Sequence, residues 1–297
     1  LNEMINAANL AWGNFPLLSH GAIEALKQHG EAWQQDAFLK PLIEGRWTGT
    51  MCLTEPHCGT DLGLLKTKAE PNADGSYAIT GTKIFITAGE HDLTDNIVHL
   101  VLAKLPDAPA GAKGISLFVT PKFKVDREGK VGERNALRCG SIEHKMGIKG
   151  SVTCVMNFDG AEGYLVGQPH KGLQAMFTMM NTARLGVGLQ GIGLSERAYQ
   201  NALKYSRERL QSRSLSGPKN PEKPADPILV HPDVRRMLLT IKSLVEGSRL
   251  LALHAATLID VAHHAEDAGE RERADTLVSF LTPISKACQT EWGIENT

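Results

Sequence analysis

The sequence contains no C-x-x-C pair, and its five cysteines, Cys52, Cys58, Cys139, Cys154 and Cys288, are odd in number and widely spaced. A disulfide framework is therefore not expected, and a reducing compartment fits best. Runs of like charge are also missing. With 32 Lys and Arg against 33 Asp and Glu, no surface field points toward nucleic acid or anionic lipid. No long hydrophobic run is free of charge: "MLLTIKSLVEGSRLLALHAATLIDVA" is interrupted by Lys242, Glu246 and Arg249, which would cost several kcal/mol in hydrocarbon, so no membrane span is expected. The chain opens at Leu1 without a Met or a basic n-region and stops at Thr297 without a turn or tail. Both ends read as cut, and an internal fragment is the expectation.

What is present is 297 residues with 42% hydrophobic content, enough for two domains with substantial cores. Residues 1–46 are rich in Ala, Leu and Gln with few β-branched residues, which suits short helices. From Trp47 the composition changes. The segments "WTGTMCLTE", "SYAITGTKIFITAG", "NIVHLVLAKL", "GISLFVTP" and "SVTCVMNFDG" are β-branched and aromatic, and Gly, Pro, Asn and Asp separate them at the intervals of an antiparallel barrel or sandwich. A β domain over 47–168 follows.

After "YLVGQPHKGL" the apolar period becomes helical and feeds a long run to about Leu210. Pro218, Pro221, Pro224, Pro227 and Pro232 make residues 212–233 a long loop. Two more helices follow, the first with an apolar stripe through Met237, Ile241, Leu244, Val245, Leu251, Ala252, Ala255 and Leu258. The order is helical (1–46), β (47–168), helical (169–297), an α+β chain with a central β-barrel and a C-terminal bundle. "LGVGLQGIG" places Gly186, Gly188 and Gly191 in a G-x-G-x-x-G spacing, but no strand precedes it and helical spacing continues through it. These glycines read as a flat helix face that permits close packing rather than a dinucleotide loop.

The densest cluster of reactive residues is "MCLTEPHCGTDLG", residues 51–63. Cys52, His57 and Cys58 are ligand types that zinc prefers, yet adjacent His57 and Cys58 point apart and no second pair lies at finger spacing, so no metal is expected. A solvated turn at Pro56 and Gly59 is the plain reading. The sharper one ends a strand at Leu53 and aims the amides of the loop 54–60, with the hydroxyls of Thr54 and Thr60, at an anionic or carbonyl-rich ligand.

"CLTEPHCGTDLG" resembles the signature of the acyl-CoA dehydrogenases: a small residue, an aliphatic, Ser or Thr, Glu, two variable residues, a small residue, Gly, Ser or Thr, then Asp. Those places are Cys52, Leu53, Thr54, Glu55, Pro56 and His57, Cys58, Gly59, Thr60 and Asp61. Cys58 replaces the usual Gly, Ser, Ala or Asn, and Leu64 stands where a small residue is common. "TEPHCGTDLGLLKTKA" is also similar to a bacterial branch that includes long-chain and methylmercaptopropionyl-CoA dehydrogenases. "DGSYAITGTKIFITAGEH" resembles the family's strand pair ending in an aromatic, Ile, Thr and a small residue, here Phe85, Ile86, Thr87 and Ala88. Strict alternation would put Lys83, Phe85 and Thr87 on one face and Ile84 and Ile86 on the other, giving an apolar wall beside a hydroxyl.

The resemblance implies FAD held without a covalent link. Met51, Leu53 and Thr54 would lie along the pyrimidine side of the ring, Phe85, Ile86 and Thr87 would line it, and Thr87 would reach the edge that receives hydride. Thr60 would sit near the diphosphate or the pantetheine arm, and Arg184 matches an arginine near the acyl-CoA. Arg209, with Arg213 as a rival, matches an arginine that reaches the flavin diphosphate of a neighbouring subunit, so a homodimer or homotetramer is implied.

The implied activity is oxidation of an acyl-CoA to the trans-2-enoyl-CoA in a bacterial cytoplasm, with electrons passed to electron-transferring flavoprotein. The base that takes the α-proton is a Glu in this family. Ala183 occupies one of its known places and Glu196 lies more than three turns off, so no catalytic residue is expected within this chain and the base is expected beyond Thr297. Two alternatives stay open: an acyl-CoA oxidase or flavin monooxygenase on the same fold, and a catalytically silent binding module.

Overall fold

The structure, a computed structural model, describes residues 1–297 apart from the side chain of residue 182. Its elements run α1 (Asn2–Ala8), α2 (Leu10–Asn14), α3 (Leu17–His29), α4 (Ala32–Ile43), β1 (Trp47–Cys52), β2 (Lys68–Pro71), β3 (Tyr77–Thr87) and β4 (Asn96–Lys104). Then come β5 (Ile115–Pro121), β6 (Phe123–Val125), β7 (Val131–Arg134), β8 (Leu137–Ile142), β9 (Thr153–Val166), α5 (Gly172–Glu208), α6 (Pro232–His264) and α7 (Ala268–Glu295). The chain divides into two compact units, residues 14–183 and residues 1–13 with 184–297.

In the first unit seven strands form one sheet, while β6 and β7 pair separately. The expected antiparallel pairing is corrected at β4, whose pairings with β1 and β2 are parallel. β1 runs parallel to β4, from Trp47 opposite Asn96 to Cys52 opposite Val101. The circuit β4, β5, β9, β3, β2 returns to β4 through one parallel pair, Lys68 with Lys104, so the strands form a mixed sheet. The parallel step has a simple cause: β2 and β3 intervene in sequence between β1 and β4 and supply the crossover that parallel neighbours need.

β4 and β5 are buried on both faces, which explains their near-continuous apolar runs. Val98, Leu100 and Leu102 of β4 point into one core, where Leu26, Phe38, Trp47 and Met179 meet them, while Val101 and Ala103 point into a second with Cys52, Ile86, Phe118 and Phe158. Each such large side chain contributes about 1.5–3 kcal/mol by leaving water. α3 lies directly on β1: a Cβ on Gly49 would come within 2.5 Å of the Ala22 Cβ, and the Ser19 hydroxyl accepts from the Gly49 amide at 3.0 Å. α4 begins with a capping box between Glu31 and Gln34. The Gln34 amide then donates to the Leu165 carbonyl at 2.8 Å, tying α4 to β9.

The second unit holds α1, most of α5, α6 and α7. The glycine run in α5 is helical, as its spacing implied. A Cβ on Gly191 would lie 2.2 Å from the Gln289 carbonyl oxygen, one on Gly188 2.1 Å from the Gln289 side chain, and one on Gly293 2.9 Å from the Gly191 Cα, so α5 and α7 touch through backbone. The buried side of α6 follows Leu238, Val245, Ser248 and Ala255, whereas Met237, expected in that stripe, is 45% exposed. Arg249 grips Glu3 at 2.6 Å and Glu196 at 2.8 Å, joining α6 to α1 and α5. The proline-rich stretch after α5 is irregular but pinned: the buried Asp226 carboxylate accepts from the amides of Ser214, Lys219 and Asn220 and from Arg213. No helix among the described residues is long and apolar enough to cross a membrane.

Candidate functional site

β1 ends at Cys52, and the chain turns at once through Pro56 and His57. The amides of Glu55 and Cys58 bond each other's carbonyls at 2.9 and 3.1 Å. Two of the amides expected to face a ligand therefore close the turn on itself. Gly59, Thr60 and Asp61 remain exposed, and Met51, Leu53 and Thr54 are half-buried. The Thr54 carbonyl accepts from the Ile84 amide at 2.9 Å, which brings the first motif against the second.

The strict alternation expected in β3 fails at one point, and the failure shapes the site. Lys83 pairs with Met156 and Ile86 with Cys154, which sets two residues, Ile84 and Phe85, opposite one, Val155, so β3 carries a bulge. Lys83 and Ile86 both turn inward, at 0% and 1% exposure, and Phe85 is expelled outward at 59% exposure. Lys83 thus does not share a face with Phe85, and the Ile86 side chain belongs to the core, leaving only its backbone for a ligand. Phe85 sits at φ 59° and Ala88 at φ 53°, a conformation that costs a side-chain-bearing residue about 1–3 kcal/mol. Thr87 follows half-exposed, paired with Thr153.

Lys83 was not among the expected site residues, yet it organises the region. Its ammonium donates to Glu55 Oε1 at 2.9 Å and to the Leu53 carbonyl at 3.0 Å. Glu55 Oε1 also accepts from the Thr67 hydroxyl at 2.6 Å and the Thr67 amide at 3.0 Å, and Oε2 accepts from the Lys66 amide at 2.8 Å. Burial opposes the charge on both partners. It pushes the Lys83 ammonium below the ordinary lysine range, but on Glu55 the lysine and the Thr67 and Lys66 donors outweigh it and hold the carboxyl low. With four donors converging on one carboxylate, the ionised pair is favoured.

The trio Cys52, His57 and Cys58 is not assembled. Cys52 is fully buried beside Thr50 and His99, its thiol pushed up to about 12 by burial. Glu55, His57 and Cys58 do each offer an atom within 4.8 Å of the others. The Glu55 oxygens are committed to Lys83 and the Thr67 and Lys66 donors, however, and burial together with Glu55 raises the Cys58 thiol, so the donor set is a poor one for a cation.

Arg184 and Arg209 belong to the second unit, Arg184 within α5 and Arg209 just past its end. Between the rivals, Arg213 is spent on the loop, donating to the carbonyls of Asn220 and Lys223 as well as to Asp226, whereas Arg209 is exposed. Glu196 is no free base: despite partial burial, Gln200 and Arg249 hold its carboxyl below the ordinary range.

Residues 50–161 match the model for the acyl-CoA dehydrogenase middle domain and residues 170–292 that for the acyl-CoA dehydrogenase C-terminal domain. A 3-methylmercaptopropionyl-CoA dehydrogenase from Ruegeria pomeroyi is 50% identical over 293 residues, which is 99% of this chain and 49% of that protein. A butyryl-CoA dehydrogenase from Syntrophomonas wolfei is 40% identical over 294 residues, 96% of this chain and 48% of that protein. The chain spans about half the length of these curated relatives. The solved butyryl-CoA dehydrogenase of Megasphaera elsdenii superposes with a TM-score of 0.72 at 22% identity, covering 99% of this chain and 75% of that one, a likeness of fold.

Proposed function

Because the chain belongs to the acyl-CoA dehydrogenase family, whose cofactor is FAD, we propose that it acts in the α,β-dehydrogenation of an acyl-CoA thioester to the trans-2-enoyl-CoA. One observation carries the flavin reading: Phe85, an aromatic side chain 59% exposed, is held outward by a bulge at a costly positive φ, next to Thr87 and joined through Ile84 to Thr54. A fold does not retain an exposed ring on a strained backbone for packing, and bulges and strain of this kind gather where a ligand is met. The flat apolar face of Phe85 with a neighbouring hydroxyl suits a planar heteroaromatic ring, so the residues present fit the cofactor.

When bound, FAD supplies the hydride acceptor for the substrate β-hydrogen. Phe85 provides the wall that orients the ring and excludes water, with the backbone at Ile86. Thr87 donates a hydrogen bond to the edge that takes hydride. Met51, Leu53 and Thr54 flank the other end, where a hydroxyl donor stabilises developing negative charge. Thr60 is assigned to the flavin diphosphate or the pantetheine arm, Arg184 to the acyl-CoA, and Arg209, whose side chain is free of the loop network that occupies Arg213, to the flavin diphosphate of a second subunit in a homodimer or homotetramer. Electron-transferring flavoprotein is the proposed oxidant of the reduced enzyme. The α-proton acceptor is assigned to no residue of this chain.

The test uses the complete protein with FAD. Acyl-CoA is expected to bleach the flavin absorption, and Thr87→Ala is expected to keep FAD while slowing single-turnover bleaching about tenfold or more, in line with loss of one oriented donor. An unchanged rate would remove Thr87 from this role, and a wild-type protein that takes up no FAD would remove the reading.

A further inference from the structure

The Glu55–Lys83 pair lies between the two segments that the flavin reading assigns to the ring, and it touches both. Lys83 Nζ holds Glu55 Oε1 and the Leu53 carbonyl from β3, two residues before Phe85. Glu55 follows Thr54 directly, and its remaining oxygen capacity is filled by Lys66 and Thr67, just before β2. Both side chains are almost wholly buried, at 3% and 0% exposure.

The position of Lys83 also accounts for the bulge. Alternation in a strand returns a side chain to the same face every second residue. Lys83 must face inward to meet the carboxylate, and Ile86 must face inward to join the core that also holds Cys154 and Phe158. Three steps separate them, an odd number, so one residue has to be expelled. Phe85 is that residue, and the register shift opposite Met156 and Cys154 records it.

We propose that Glu55 and Lys83 are a positioning pair: they lock the Thr54 loop to β3, force the bulge that presents Phe85 and Thr87, and so set the geometry of the flavin platform without touching the ring. This rests on the flavin reading above. Neither residue is a proton donor or acceptor in the reaction, and the signature Glu serves the site from behind.

The experiment compares the complete wild-type protein with Glu55→Gln/Lys83→Met, which keeps both side-chain lengths and leaves no charge buried alone. The double variant is expected to retain its far-UV circular dichroism, to bind FAD at least tenfold more weakly, to alter the visible circular dichroism of the bound flavin, and to exchange the Ile84 amide faster. A folded double variant whose FAD affinity lies within twofold of wild type and whose flavin spectrum is unchanged overturns the proposal. If the double variant does not fold, Thr67→Val and Thr67→Ser decide. The valine, which loses the 2.6 Å donor to Glu55, is expected to weaken FAD binding at least threefold and the serine to restore it, while equal affinity of the valine variant and wild type overturns the proposal. Failure of the wild type to take up FAD would instead defeat the flavin reading. The Ile84 exchange rates would still report, in that case, whether the pair ties strand to loop.

Discussion

Phe85 and Ile86 are neighbours with opposite duties, and substitution separates them. Ile86 fills the core at 1% exposure, so Ile86→Ala is expected to cost about 2–5 kcal/mol, measured by denaturant unfolding. Phe85 is exposed and strained at φ 59°, a region glycine enters freely. Phe85→Gly is expected to leave stability unchanged or raise it by up to about 1 kcal/mol while weakening FAD binding. A loss above about 2 kcal/mol would show Phe85 to be a packing residue. The sequence carries Phe85, Ile86 and Thr87 plainly, but reading them by strict alternation puts Lys83 on the wrong face. The bulge depends on a partner 28 residues upstream in Glu55, and no local pattern announces a buried lysine. All the sequence offers is a lysine interrupting a run of strand-forming residues, with the acid of the first motif 28 residues away.

Elements were legible in proportion to how much of their surface is buried. The five strands read from composition correspond to β1, β3, β4, β5 and β9, all longer or well covered. The strands passed over, β2, β6, β7 and β8, are six residues or shorter, and β7 is exposed throughout, so burial has written little into them. The mixed direction of the sheet was not legible because alternation is the same in parallel and antiparallel pairs. The glycines of α5 were legible as helix, since their flanks keep the helical period. Their reason is contact, and this can be measured against a control on α6. Gly191→Ala drives a Cβ to 2.2 Å from the Gln289 carbonyl and is expected to cost about 1–3 kcal/mol. Gly247 is exposed with nothing within 4 Å of an added Cβ, so Gly247→Ala is expected to gain about 0.5–1 kcal/mol from helix propensity. Thermal unfolding of the two variants should move in opposite directions; equal shifts would mean that α5 and α7 do not meet through backbone.

For the whole molecule, a net charge of −1 means that stability against pH is governed by individual buried groups rather than by overall repulsion. On the acid side they act together. His99 is completely buried, and desolvation pushes it from 6.5 down to about 3, with Lys122, His91 and Arg134 also opposing its charge and Glu90 favouring it. The unfolded chain therefore binds a proton below 6.5 that the folded chain refuses until about 3, and stability falls across that window as pH drops. Asp226, held down to about 2 by the amides of Ser214, Lys219 and Asn220 and by Arg213, adds to the loss from the carboxylate range downward, as does Glu55. On the alkaline side, burial raises the Cys52 thiol from 9.0 to about 12, so stability present below 9 is lost as pH climbs toward 12. A plateau between about pH 7 and 9 with a falling acid flank is the expected profile in urea unfolding, and one proton contributes about 1.4 kcal/mol per pH unit to the slope. His99→Gln removes one titrating group while an amide can still meet Thr50, now 2.7 Å from Nδ1. That variant should be less stable at pH 8 through imperfect packing, yet should lose less than wild type between pH 6.5 and 4. An acid flank of unchanged steepness in His99→Gln would mean that the buried imidazole, packed edge-on against Phe158, is not excluded from protonation.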